Sequence, residues 1–212
     1  MCFHASSFKT AEELEKRFKA SFKKRSEYTP KKEVNGFSFP TLPVITNDAA
    51  TEIQLATWGL IPSWSKDKEI QKSTLNAKIE SLHEKASFKH HTKQRCLVLV
   101  DGFYEWQWLD TAGKRKLKHE VGLPDNGAFA IAGIFNDWIA PETGEVLKTF
   151  SMITCDANAF MRVIHNSKMR MPLMLTEANQ TKWLTGDEII KNEVSLSAKP
   201  CDSPSSMQTS LF

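Results

Sequence analysis

The sequence predicts an α+β protein built on a mainly antiparallel, barrel-like β core flanked by short helices. Apolar, strand-like runs recur at residues 53–62, 95–109, 128–138 and 149–158. Short helical patterns are scattered among them without regular β-α alternation. No repeat and no interdomain linker interrupts the chain, so residues 1–197 read as one domain and 198–212 as a Ser/Pro-rich, disordered tail.

Taken in order, residues 10–25 (TAEELEKRFKASFKKR) read as a helix. Thr10 and Glu13 have capping-box spacing, and Leu14, Phe18 and Phe22 form one apolar stripe. The opposite face carries Lys16, Lys19, Lys23, Lys24 and Arg25, either a solvated face or one turned to DNA. Residues 28–51 read as extended chain and turns, with Pro40 and Pro43 as fixed points. IQLATWGLIP (53–62) is a strand entering a turn. STLNAKIESLHEK (73–85) reads as a helix with Leu75, Ile79 and Leu82 toward the core and Asn76 and Lys78 off that stripe. RCLVLVDGFYEWQWL (95–109) is strand, with Asp101-Gly102 as a hairpin turn or bulge. Two more strands (128–138 and 149–158) flank a turn cluster at 141–145. A short helix then ends near His165, MPLMLT is a strand, and EANQTKWL is a helix capped by Thr176.

The chain has 212 residues, 41% hydrophobic and 25% charged, with a net charge of +3. Such a mild basic excess permits nucleic-acid binding without arguing for it. No apolar run has the length of a membrane span, and the N-terminus lacks a signal peptide's apolar region, so a cytoplasmic protein away from membranes is expected. Cys2, Cys96, Cys155 and Cys201 lie far apart and form no C-x-x-C, which argues against a zinc ribbon or redox pair. Cys96 and Cys155 sit in apolar runs as small core residues. No metal ligand cluster and no cofactor motif is expected.

The candidates for chemistry are Cys2, Asn76, Glu105 and His165. Cys2 is small enough for removal of Met1 to be expected. It would then present an amine and a thiol on adjacent carbons, able to trap an aldehyde as a thiazolidine or to attack a carbonyl. Each candidate also has a plain reading: an idle thiol, a turn or cap asparagine, a solvent-facing glutamate in an alternating strand, and a histidine closing a helix.

The stretches around them stand in a fixed order: MC, WGLIPSW (58–64), LNAKIE (75–80), RCLVLVDGFYEW (95–106) and IHNSKMRMPLML (164–175). Together they resemble the SRAP family, the SOS response-associated peptidases, over residues 2–185. The resemblance implies a single α+β domain, neither membrane-bound nor metal-dependent, that binds single-stranded DNA in a basic groove and crosslinks to abasic sites. Cys2 would close the thiazolidine, Asn76 would hold the sugar, Glu105 would move protons at the amine or ring oxygen, and His165 would act as acid–base or positioning group. Pro40, Trp64, Lys78, Thr154 and Arg170 would contact DNA, Trp64 by stacking. The partner is single-stranded DNA containing abasic sites, handled by a monomer, and a lyase side activity is compatible with the same groups. Two other readings stay open: a cysteine peptidase using Cys2, and a non-catalytic single-stranded DNA-binding module.

The chain departs from the family pattern in three places. Phe3-His4 replaces Gly-Arg, Lys78 replaces an arginine and loses its bidentate fork, and HNSKMRMP carries three extra residues after Asn166. The basic patches FKHHTKQR (88–95) and KRKLKH (114–119) read as solvated loops.

Overall fold

A computed structural model describes residues 2–189 and 194–201. The elements run β1 (His4–Ser7), α1 (Ala11–Phe18), β2 (Ser21–Phe22), β3 (Lys31–Asn35), β4 (Thr41–Thr46), β5 (Glu52–Trp58), β6 (Asn76–Lys78), β7 (Arg95–Val100), β8 (Gly102–Trp108), β9 (Lys116–Gly122), β10 (Phe129–Ile139), β11 (Val146–Asp156), α2 (Ala159–Ile164), β12 (Arg170–Pro172), β13 (Met174–Leu175), α3 (Glu177–Thr185) and β14 (Ser197–Pro200).

Two sheets share these strands. In the larger, β11, β10, β7, β4 and β5 pair in sequence, and a parallel β11–β5 contact closes the five into a ring. The smaller sheet has the order β14-β9-β8-β1-β3. The α+β, mainly antiparallel reading therefore holds, barrel-like core included. The core of the ring is apolar and includes large aromatic side chains. Trp58 stacks on Phe150 at 6.4 Å. Trp183 of α3 donates its indole N–H to the carbonyls of Cys96 and Gly133, under the Arg95 guanidinium 4.3 Å from its ring. A Cβ on Gly133 would fall 2.7 Å from Cys96 Sγ, so only glycine lets β10 and β7 approach this closely. Cys96 and Cys155 are buried as expected. Among the described residues no helix is long and apolar enough to cross a membrane.

Several local expectations are corrected. Asp101-Gly102 is neither hairpin nor bulge: it is where the chain leaves the ring (β7) for the second sheet (β8). Asp101 fastens this switch by accepting the backbone N–H groups of Phe8 and Lys9. Gly102 is needed because a Cβ there would lie 3.0 Å from both Ser6 Oγ and the Val121 carbonyl.

The helix expected over 73–85 is instead two 3-10 turns around β6, because Asn76–Lys78 pairs in parallel with Met152–Thr154 of β11. The ladder outweighs the helical spacing of Leu75, Ile79 and Leu82. The first helix stops at Phe18, where Lys19 adopts φ 52, and the chain turns into β2. Its basic partners are neutralised locally: Lys23 meets Glu52 at 3.4 Å and Lys24 meets Glu27 at 2.9 Å. Residues 28–51 supply β3 and β4. Residues 198–200, assigned to the tail, pair with β9 as part of β14; residues 202–212 lie outside the described residues.

The capping box is present as read, with Thr10 accepting from Glu13 N–H at 3.2 Å and Glu13 accepting from Thr10 N–H at 2.8 Å. Thr10→Ala is expected to cost about 1 kcal/mol of unfolding free energy in urea titration.

Candidate active site

The site forms where the N-terminal segment meets four separate elements. β1 pairs His4 with Tyr104 of β8 and with Asn35 of β3, which delivers Cys2 and Phe3 beside Glu105. The Phe3 carbonyl accepts from Gly36 N–H at 2.7 Å and fixes the segment's path. Cys2 is fully buried.

Asn76 opens β6, held in place by the Trp58 indole N–H on the preceding Leu75 carbonyl at 2.8 Å. Its side-chain amide donates to the Cys2 carbonyl at 2.7 Å. His165 caps α2 at its C-terminal end, as read, with its N–H on the Met161 carbonyl. The extra residues after Asn166 form the turn that follows, closed by Met169 at φ 51. That turn brings the Arg170 carbonyl to His165 Nδ1 at 2.7 Å. A carbonyl only accepts, so the ring proton sits on Nδ1 and the lone pair on Nε2. Glu105 Oε1 lies 3.4 Å from the same Nδ1, but the proton is directed to Arg170.

Burial governs the electrostatics. It raises the Glu105 carboxyl to about 8, against a partial offset from the charged amino terminus. It lowers His165 to about 4, helped by the same positive terminus. It also pushes the Cys2 thiol up, and the neighbouring Glu105 carboxylate adds to that push. At neutral pH the site therefore holds a mostly protonated carboxyl, a neutral imidazole and a neutral thiol. Glu105 is 4% exposed, so the expectation of a solvent-facing glutamate is overturned: β8 is covered on the Glu105 face. Two acceptors, Asn76 Oδ1 and Glu105 Oε1, are buried with no hydrogen-bond donor among the described residues. Buried orphan acceptors are uncommon in folded proteins, and these two leave hydrogen-bonding capacity that a bound group can use.

A cavity of about 610 Å³ opens in front of Glu105 and His165, with Cys2 and Asn76 buried behind its lining. Glu105 and His165 form part of its lining, His4, Lys78, Lys116 and Lys168 supply cationic or titratable edges, and Phe3, Phe37, Trp106 and Trp108 supply aromatic walls. The structure thus gathers Cys2, Asn76, Glu105 and His165, and brings Lys78 to the opening.

Arg170 also reaches the lining, but its guanidinium is engaged within the protein. It binds Glu80 through both nitrogens at 2.7 and 2.9 Å, Asp156 at 2.6 Å and the Thr154 carbonyl at 2.9 Å. Thr154 is fully buried beneath it. Pro40 accepts the Trp58 N–H and stands off the lining, as does Trp64, 56% exposed with its indole 3.4 Å from the Ala86 carbonyl.

The patch KRKLKH is not a plain solvated loop. Its Lys116 borders the cavity, and its Lys118 binds both Glu33 oxygens at 2.7 Å while His4 binds Glu33 at 2.9 Å. Phe37, Trp108 and Lys116 were missed as cavity residues; the alternation in YEWQW, which puts Trp106 and Trp108 on one face, was the available signal.

Comparison with known proteins adds an independent line. The family model for SOS response associated peptidase (SRAP) matches residues 1–210. The chain is similar to the abasic site processing protein YoqW of Bacillus subtilis, 36% identical over 186 residues, covering 87% of this chain and 80% of that one. It is similar to the abasic site processing protein HMCES of Pongo abelii, 33% identical over 64% of this chain and 46% of that one. Among solved structures, a protein from Bacteroides thetaiotaomicron superposes with a TM-score of 0.83 at 32% identity, covering 94% of this chain and 91% of that one.

Proposed function

The chain belongs to the SOS response associated peptidase family, and from that premise we propose that it processes abasic sites in single-stranded DNA by a covalent crosslink through Cys2. Its relatives YoqW and HMCES are abasic site processing proteins. The observation that carries the finer reading is the convergence on buried Cys2 of Asn76, Glu105 and His165, with two orphan acceptors among them.

Removal of Met1, by the chain itself or by an aminopeptidase, exposes the Cys2 amine. The amine adds to the aldehyde carbon of the ring-opened abasic sugar, and loss of water gives an imine. The thiol sulfur then adds to the imine carbon, and its proton ends on the nitrogen. One water is released overall, and a five-membered thiazolidine remains.

Each neighbour has a task in that sequence. Glu105, protonated at neutral pH, donates to the departing hydroxyl and to the ring oxygen during opening. Neutral His165 accepts a proton at Nε2, its ring held by the Arg170 carbonyl. Asn76 fixes the Cys2 carbonyl and offers Oδ1 to the new amine. A neutral, fully buried thiol favours this order, amine first and sulfur second, over direct thiolate attack on a peptide.

The test uses methionine-processed protein with a single-stranded oligonucleotide carrying one abasic site, run on a denaturing gel. A heat-stable shifted band is expected, absent when a tetrahydrofuran spacer without an aldehyde replaces the abasic sugar. No band from folded, processed protein would overturn the crosslinking reading and return attention to peptide hydrolysis.

A further inference from the structure

One wall of the cavity has no task in the chemistry above. Trp108 closes β8, is half-buried and lines the opening. Its backbone is clamped from the far side: the Asn166 side chain accepts the Trp108 N–H at 3.0 Å and donates to its carbonyl at 2.9 Å. Asn166 follows His165 directly, so the Trp108 wall and the histidine are fixed to one another.

The indole is also seated. A Cβ built on Gly113 would lie 2.7 Å from each of three contiguous ring atoms, Cδ2, Cε2 and Cε3. A point equally far from all three stands over the face of the six-membered ring, not at its edge. Gly113 has φ +63 and no side chain, and so fills that face with backbone. Its loop is braced by Asp110, which accepts from Lys114 N–H at 3.1 Å and from Arg115 N–H at 2.6 Å. Trp108 lines the cavity and Gly113 does not, which leaves the opposite face of the ring as the one a ligand can cover. Lys116, exposed and with its ammonium over this ring at 5.4 Å from the centroid, supplies a cation on the same wall.

A rigid aromatic face beside flexible lysines suits an unpaired base and its phosphate. We propose that Trp108 is a stacking platform for one nucleobase flanking the abasic site, with Lys116 and Lys168 taking the phosphate beside it. This rests on the reading that the substrate is single-stranded abasic DNA.

The experiment measures reversible binding of oligonucleotides carrying a tetrahydrofuran spacer, with 2-aminopurine placed on either flank in turn. Wild-type protein is expected to quench 2-aminopurine on one flank. Trp108→Leu should abolish that quenching and weaken binding about 5- to 150-fold, the span of one lost base–aromatic stack. Trp108→Phe should retain most of both. Unchanged quenching at both flanks and affinity within about twofold in Trp108→Leu, with wild type still crosslinking true abasic DNA, would overturn the stacking proposal alone. Failure of the wild type to bind any such oligonucleotide or to crosslink would overturn both readings together. Melting curves of the two variants exclude loss of fold as the cause.

Discussion

Cys2→Ala is expected to abolish the heat-stable adduct with abasic DNA completely while leaving a folded protein. The thiazolidine cannot close without sulfur. Alanine still presents an α-amine after removal of Met1, so the variant stops at the imine, which hydrolyses on heating. Borohydride added before denaturation should therefore recover a shifted band from Cys2→Ala that is absent without it. The stability cost is small, about 1 kcal/mol, because one buried heavy atom is lost from the packed core. The check is one gel with and without borohydride, beside a thermal melt. A heat-stable adduct from Cys2→Ala without reductant would assign the linkage to another nucleophile.

Glu105→Gln is expected to slow adduct formation by about 100-fold or more, the usual worth of a positioned proton donor, and to raise thermal stability. The second effect follows from burial. The folded-state carboxyl titrates at about 8, above its unfolded value of about 4.3. Below the unfolded value both states are protonated and the group costs nothing. Between the two values the unfolded chain ionises while the folded one resists, so stability falls as pH rises, by roughly 1.4 kcal/mol per pH unit at most.

Glutamine has no charge to desolvate. The variant's advantage should thus be near zero at pH 4 and largest at pH 8, on the order of 5 °C or more in melting temperature. The wild-type adduct rate should also decline as pH rises past about 8 and the donor proton is lost. An equal melting temperature for the two proteins across this range would show that Glu105 is ionised at little cost in the fold.

Of the ring's strands, β5, β7, β10 and β11 were legible from their apolar runs, whereas β4, inside the Pro-, Asn- and Thr-rich stretch 28–51, read only as extended chain and turns. The segment around Asn76 was not legible as a strand. Leu75, Ile79 and Leu82 have helical spacing, and only the parallel ladder to β11, more than 70 residues away, makes the segment a strand. The same distance hid Arg170's fate. Its positive charge was visible, but the carboxylate that takes both its nitrogens, Glu80, lies 90 residues upstream.

Glu105 was open to two readings for a different reason. Alternation in FYEWQW marks two faces without saying which is covered, and the cover comes from Cys2, α2 and His165, none of them local. The identities of Cys2, Asn76, Glu105 and His165 were legible through family motifs rather than through spacing. The Trp108 platform needed Gly113 and Asn166 together, a conjunction that no linear pattern announces.

The burial of Cys2 also bears on redox chemistry. Peroxides react with thiolates, and access decides which cysteine is hit first. Cys2 is fully enclosed and its thiol is held neutral, whereas Cys201 is exposed. An oxidant or alkylating reagent at neutral pH will therefore modify Cys201 well before Cys2. Packing thus shields from oxidants the residue to which the proposed crosslink is assigned.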